Sequence, residues 1–188
     1  AWFDPPFGID LKPQRQKTAP IANDGQQDAQ ALWRLFLPIL KQVMDDNTAV
    51  FLCQRWTEFD WTLPLVRSYF TLKSKIVWHK TQWGIGYYTR PQHEDILYCW
   101  HGKPLVPAVA VSDVWAAARP SAPIHAAEKP PALSGMAISF STERGAIVAD
   151  WFAGVGGSII ACEQLGRRCR AVEISPGYVA VALERWAT

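Results

Sequence analysis

The apolar positions Leu32, Leu35, Phe36, Ile39, Leu40 and Val43 recur with the period of one helical face. Asp28 stands where an N-terminal cap is wanted, so the spacing predicts a helix from Asp28 to about Met44, kinked at Pro38. Further along, the pattern alternates between short apolar runs and helical periods. Residues 48–53 read as a buried strand and 61–69 as a short helix. Residues 75–79 and 96–100 read as two strands, split by a Gly-rich, aromatic loop over 82–93. A helix opened by prolines is predicted over 129–140. It is followed by a strand over 146–149, a helix over 157–165, a strand over 170–174 and a helix over 176–186. Residues 1–3 look like the end of a strand.

Two stretches lack this patterning. Residues 8–27 read as a long loop made basic by Lys12, Arg15 and Lys17. Residues 101–124 read as a Pro- and Ala-rich connection with one short apolar segment over 109–115. Strands alternating with helices imply an α/β fold, its parallel or mixed sheet covered on both faces. No internal repeat and no second domain is evident across residues 1–188.

Composition narrows the class. With 49% hydrophobic residues the chain is not disordered, and 188 residues suffice to bury a core. A net charge of +2 neither demands nor forbids a nucleic acid partner. Cys53, Cys99, Cys162 and Cys169 show no C-x-x-C spacing, so buried free thiols of a reducing compartment are expected. A zinc site from His93, Cys99 and His101 lacks a fourth ligand at a familiar spacing, so no metal is assigned. No signal peptide and no apolar run long enough for a bilayer is seen, which favours the cytoplasm. The chain starts at Ala1, almost on top of a motif, so a segment upstream in the natural protein, carrying the rest of the first strand, is expected.

Residues 146–158 combine a strand, a Gly-rich turn and a helix start, the context in which a glycine motif carries meaning. Gly154 and Gly156 let the backbone approach a ligand, and helix N-terminal amides face its polar groups. Glu173 stands about 20 residues on, where a carboxylate suits ribose hydroxyls. The loop reads D-x-F-x-G-x-G from Asp150, not the dinucleotide G-x-G-x-x-G. Its leading anion suits a cationic ligand such as S-adenosylmethionine better than a pyrophosphate.

At the other end, Asp4-Pro5-Pro6-Phe7 is suited to an exocyclic amine. Such a nitrogen is a poor nucleophile, because its lone pair is delocalised into the ring. Acceptors aimed at its N–H groups, here Asp4 and a carbonyl of the Pro-Pro turn, draw it toward tetrahedral geometry. The two prolines stiffen the turn beforehand, and Phe7 offers a face for a flipped-out base. An ordinary turn is the plain alternative for a tetrapeptide this short.

With both ends in hand, the chain resembles the DNA amino-methyltransferases of the N-4/N-6 family that modify adenine N6 or cytosine N4. It is similar to the permuted class, in which the catalytic motif precedes the cofactor motif, and in particular to its small phage and prophage members. The family's D-P-P-Y/F motif falls on Asp4, Pro5, Pro6 and Phe7. Its D-x-F-x-G-x-G loop falls on Asp150, Phe152, Gly154 and Gly156, with Ser158 just after, and its acidic residue on Glu173 before Ser175, Pro176 and Tyr178. H-P-T-x-K-P falls on residues 125–130, with His125 and Lys129 kept and Ala126 and Ala127 in the second and third places. Ile21 to Asp24 resembles an I-x-N-D stretch. Trp78-His79-Lys80 resembles the W-x-K strand that walls the base pocket, and Arg90 to Glu94 an R-x-x-Q-H-E run, with no role carried over for His93 or Glu94.

The resemblance implies one Rossmann-like S-adenosylmethionine-dependent methyltransferase domain. Its sheet would be mixed and mostly parallel, with helices on both faces and circularly permuted motif order. Asp4, Pro5, Pro6 and Phe7 would be catalytic. Asp150, Phe152, Gly154, Gly156, Ser158, Glu173, Lys129 and His125 would bind the cofactor. The partner would be double-stranded DNA, with a homodimer and a cognate restriction endonuclease as further candidates. Residues 101–124 would be a short target-recognition segment. Asp4 at the first motif position favours adenine N6, since N4-cytosine enzymes more often carry Ser there. N4-cytosine methylation, and a non-catalytic remnant that only binds DNA or a partner, stay open.

Overall fold

A computed structural model describes residues 1–8, 25–84, 86–105, 110–121, 123–124 and 127–187. The basic loop with Lys12, Arg15 and Lys17, the stretch Ile21 to Asp24, and His125 lie outside the described residues. The elements run β1 (Trp2–Phe3), α1 (Gln26–Val43), β2 (Thr48–Gln54), a 3-10 turn (Trp56–Glu58), α2 (Phe59–Arg67), β3 (Thr71–His79) and β4 (His93–His101). Then follow β5 (Val114–Ala116), α3 (Pro131–Ser141), β6 (Ile147–Asp150), α4 (Gly157–Leu165), β7 (Arg168–Ala171) and α5 (Pro176–Ala187).

Five strands form one sheet in the order β1-β2-β4-β3-β5, and β6 pairs with β7. The five-stranded sheet is mixed: β1 with β2 and β3 with β5 are parallel, while β4 runs antiparallel to both neighbours; the separate β6–β7 pair is parallel. β1 packs beside β6, so strands from opposite ends of the sequence meet. One face of the large sheet buries Phe3, Val50, Leu52 and Leu97 against Trp33, Phe36, Leu37 and Leu40 of α1 and Val66 of α2. The other buries Phe51, Ile76, Trp78 and Tyr98 against Leu133 and Ala137 of α3. The α/β architecture with helices on both faces is as the alternating pattern implied.

The differences have local causes. The cap of α1 is Gly25, in extended conformation, and Asp28 sits inside the first turn. The buried stripe of α1 is Ala29, Trp33, Phe36, Leu37 and Leu40, whereas Leu35, Ile39 and Val43 face outward. Leu35 and Ile39 each neighbour a buried residue by a single position, about 100° around the helix axis, so two apolar stripes lie side by side and the sheet covers one. β3 begins at Thr71, earlier than its apolar run, because Thr71 to Lys75 pair with β4 while mostly facing solvent, with a bulge between Leu72 and Ser74. β7 is displaced toward the N-terminus from the expected 170–174. Gly166 at φ 68° closes α4 so tightly that pairing with β6 starts at Arg168. Val172 and Glu173 thereby leave the strand and reach the Gly-rich loop. Among the described residues no helix is long and apolar enough to cross a membrane.

Candidate active site

The topology brings the motifs to one edge. β1, β2 and β3 share a direction because β4 is antiparallel to both β2 and β3. Their carboxyl ends and the start of β4 therefore lie together, where parallel sheets bind ligands. Asp4 follows β1, Lys80 follows β3, Glu94 is the second residue of β4, and Asp150 ends the adjacent β6.

Lys129, from the segment before α3, inserts its ammonium into this edge, 2.5 Å from Asp4 Oδ1 and 3.4 Å from Glu94 Oε2. The other Glu94 oxygen accepts a hydrogen bond from the Lys80 ammonium. Asp4, Lys129, Glu94 and Lys80 thus form a row of alternating charge, its side chains between 8% and 22% exposed. Burial raises the Asp4 carboxyl above its usual range, more than Lys129 pulls it down. Burial also pushes Glu94 up, but the two ammonium groups outweigh it and hold Glu94 low. Lys80 is lowered by burial, against Glu94, with Arg119 and Lys129 adding to the fall. Lys129 is held high, because Asp4 and Glu94 outweigh its burial.

The motif turn is braced from below. Trp33 of α1 donates its indole N–H to the Pro6 carbonyl at 3.2 Å. Phe7 is buried, and its ring lies 4.9 Å from the Lys129 ammonium. Trp78 is also buried, donating to the Ala117 carbonyl at 2.8 Å, with Lys80 over its ring. It is a floor beneath the Lys80 end of the charged row.

Asp150 is buried at the end of β6, where its Oδ1 accepts the Phe152 amide at 3.0 Å. Burial pushes its carboxyl up to about 7, against the pull of the nearby Ser158 hydroxyl and the Phe152 amide. Glu173 accepts the Gly154 amide on one oxygen and the Ser175 amide on the other, both at 2.8 Å, so it clamps the loop. Arg185 of α5 donates to the Val155 carbonyl at 2.8 Å and pairs with Glu128 at 2.9 Å, tying the loop to the segment that carries Lys129. Phe152 packs edge-on against Phe36 and Phe3, anchoring the loop to α1 and β1.

The two motif glycines have different reasons. Both have positive φ, 52° at Gly154 and 84° at Gly156. A Cβ on Gly154 would meet nothing within 4 Å, whereas one on Gly156 would stand 2.8 Å from the Ala182 Cβ of α5. Gly154 faces open space of the kind a ligand needs, and Gly156 makes room for a helix. A buried carboxyl with a raised pKa beside that space fits a cationic nucleotide.

Lys129, expected at the cofactor, sends its ammonium to Asp4. Its carbonyl lies 3.3 Å from where a Gly157 Cβ would be, so its backbone does border the Gly-rich loop. Glu94 and Lys80 gain a place in the charged row that the motif likeness did not assign. Arg119, Trp33, Glu128 and Arg185 carried no motif signal. Position 94 had one clue, a carboxylate opening an apolar strand. His93 and His101 stand at opposite ends of β4, about 26 Å apart along an extended chain, and His101 Nε2 lies 3.2 Å from Asp46. Among the described residues no His, Cys, Asp and Glu group could hold a metal. Cys53, Cys99 and Cys162 are buried free thiols and Cys169 is half-buried.

The fold is that of the S-adenosylmethionine-dependent methyltransferases. A family profile described as DNA methylase (N6_N4_Mtase) matches residues 2–184, and the chain belongs to that N6/N4 DNA methylase family. No curated protein matches the sequence. Solved structures do match in shape. The structure of M1.HpyAVI superposes with a TM-score of 0.73 at 19% identity, covering 100% of this chain and 86% of that one. The cytosine-N4-specific PvuII DNA methyltransferase gives 0.77 at 14% identity, over 98% of this chain and 77% of that one. TTHA0409 from Thermus thermophilus gives 0.64 at 22% identity, over 86% of this chain and 77% of that one. M1.HpyAVI has also been solved as a complex with S-adenosylmethionine.

Proposed function

We propose that this DNA methyltransferase acts on adenine N6 of a base turned out of the duplex. The observation that carries the proposal is the Asp4 carboxylate, held by Lys129 at the mouth of the edge that also carries the Gly-rich loop. The methyl donor is S-adenosylmethionine, which supplies an electrophilic methyl group on a sulfonium. Asp150 would face its cationic end, Gly154 would leave it room, and Ser158 and Glu173 would stand beside it.

Asp4 and the Pro5 carbonyl accept the two N–H groups of the target amine, since the Pro6 carbonyl is committed to Trp33. Both acceptors sit where positive charge grows on the nitrogen as it attacks, and that differential stabilisation speeds transfer. The nitrogen forms its bond to the methyl carbon as the carbon–sulfur bond breaks. The surplus proton then passes to Asp4, whose raised pKa suits it to accept. Asp4 in place of Ser favours adenine over cytosine. Residues 101–124 would read the target, anchored by β5 on the sheet edge.

Digestion of methylated DNA to nucleosides, followed by mass spectrometry, tests this directly. N6-methyladenine is expected, and N4-methylcytosine in its place would overturn the base assignment. Replacing Asp4 with Ala should reduce turnover by about 10²- to 10³-fold, and full activity in that variant would overturn the mechanism.

A further inference from the structure

The loop between β3 and β4 is built as an arm, and its tip carries the most exposed aromatic side chains among the described residues. Past the strand ends, Lys80 N–H donates to the Gln92 carbonyl at 2.9 Å and Gly84 N–H to the Pro91 carbonyl at 2.7 Å. Arg90 Nε closes on the Gly84 carbonyl at 2.9 Å, and its guanidinium lies 5.6 Å from the Trp83 ring. Thr81 takes a left-handed φ of 60°, turning the chain sharply off β3. The tip turn is tight enough that a Cβ on Gly86 would collide with the Thr89 carbonyl. On this braced tip Tyr87 and Tyr88 are 93% and 95% exposed, edge to face with centroids 5.1 Å apart.

The base of the arm is the catalytic row itself, because Lys80 and Glu94 flank the loop. The arm springs from the strand ends that carry Lys80 and Glu94, so it stands next to the place a base must enter to reach Asp4, and the gap that base leaves in the duplex lies within its neighbourhood. From Thr81 to Tyr87 the chain spans at most about 20 Å when extended, against a major groove about 8.5 Å deep. One ring at the tip can replace the stacking that the departed base gave up while the other, perpendicular to it, supports it from the edge, and Arg90, two positions on from Tyr88, supplies a cation for a phosphate.

We propose that the 81–92 arm is a duplex wedge, with one ring of the Tyr87–Tyr88 pair filling the stack vacated by the flipped base and the other bracing it. It rests on DNA as the substrate and holds whether adenine or cytosine is methylated. The test compares the wild type with a Tyr87→Ala/Tyr88→Ala variant, whose side chains are too exposed to matter for folding. Tritium incorporation from labelled cofactor is measured on genomic DNA from a methylation-deficient bacterium, native and heat-denatured. The variant should lose about 10- to 100-fold on native DNA and keep its rate on denatured DNA within about twofold. An unchanged rate on native DNA would overturn the wedge and turn attention to a protein partner for the tip. An equal loss on both forms would overturn it too, pointing to a role inside the pocket.

Where the wild type leaves either form unlabelled, binding decides. By fluorescence anisotropy the wild type should prefer a duplex with a central abasic site over the intact duplex, and the variant should not. The same preference in both proteins overturns the wedge. A wild type that labels neither form sinks the methylation assignment separately.

Discussion

Replacing Glu94 with Gln keeps the shape of the charged row and removes the anion between two ammonium groups. The Lys80 and Glu94 side chains are 9% and 19% exposed and the Lys129 side chain 8%, so little water is at hand to compensate. Breaking a buried pair from one side costs about 3–5 kcal/mol, and the partial exposure of Glu94 points to the lower end, about 3. For a chain of this length that is a fall in Tm of roughly 6–12 °C. Lys80→Met removes the closer partner and leaves the carboxylate only Lys129 at 3.4 Å, so it should destabilise by a similar amount. If the two groups act as a pair, the double variant should lose about 3 kcal/mol and not the sum of about 6, a coupling of about 3 kcal/mol. Urea unfolding of the four proteins measures each term. Initial rates add a second readout: with Glu94 neutral, Lys129 draws more on Asp4, weakening it as an acceptor, and kcat should fall about tenfold, or about 1.4 kcal/mol. Additivity within about 0.5 kcal/mol would refute the pairing, whatever the size of the single losses.

Cofactor affinity should depend on pH through Asp150. Its carboxyl keeps its proton up to about pH 7 in the free protein, and a cationic ligand requires the carboxylate, so binding expels a proton below that pH. The dissociation constant, followed by calorimetry, should fall about tenfold per pH unit as pH rises toward 7 and level off above. Flat affinity from pH 5.5 to 8 would contradict this, as would an Asp150→Asn variant with the same slope. The same raised pKa lowers stability as pH climbs from about 4 to 7, since the unfolded carboxyl, near 3.9, releases its proton first. The two loop glycines should separate by phenotype. Gly156→Ala drives a Cβ to 2.8 Å from Ala182 at a φ of 84° and should destabilise by about 2 kcal/mol, with Ala182→Gly restoring part. Gly154→Ala points into open space at a φ of 52°, so beyond about 1 kcal/mol of left-handed backbone strain its loss should appear mainly as weaker cofactor binding. Trp33→Phe removes the 3.2 Å hydrogen bond to Pro6, so about 1 kcal/mol of stability should go along with part of kcat. A drop in stability with an unaltered kcat would show that the bond does not position the turn.

The local elements were legible because their causes are local. The Gly-rich turn after β6, the prolines opening α3 and the apolar runs of β2 and β4 each declare themselves within a few residues. Boundaries failed where pairing, not periodicity, sets them: β3 gains its polar first half from β4, and β7 shifts under the constraint of Gly166. The apolar period identifies α1 as a helix but marks a buried side one stripe too wide, since hydrophobicity alone does not say which stripe the sheet covers.

For the chemistry, the sequence by itself determined which residues are present: a carboxylate on a stiff Pro-Pro turn, a second on a Gly-rich loop, and lysines in two motif-like segments. Only the tertiary structure decided which charges face each other. Lys129 stands 125 positions from Asp4 and reaches it because β1 lies beside β6 and α3, which follows Lys129, packs against β1. Glu94 joins the row because an antiparallel β4 begins where its parallel neighbours end. Pattern along a chain carries information over a turn or two of helix, whereas a buried charge is stabilised by whatever folding brings within a few ångströms, at any separation in sequence.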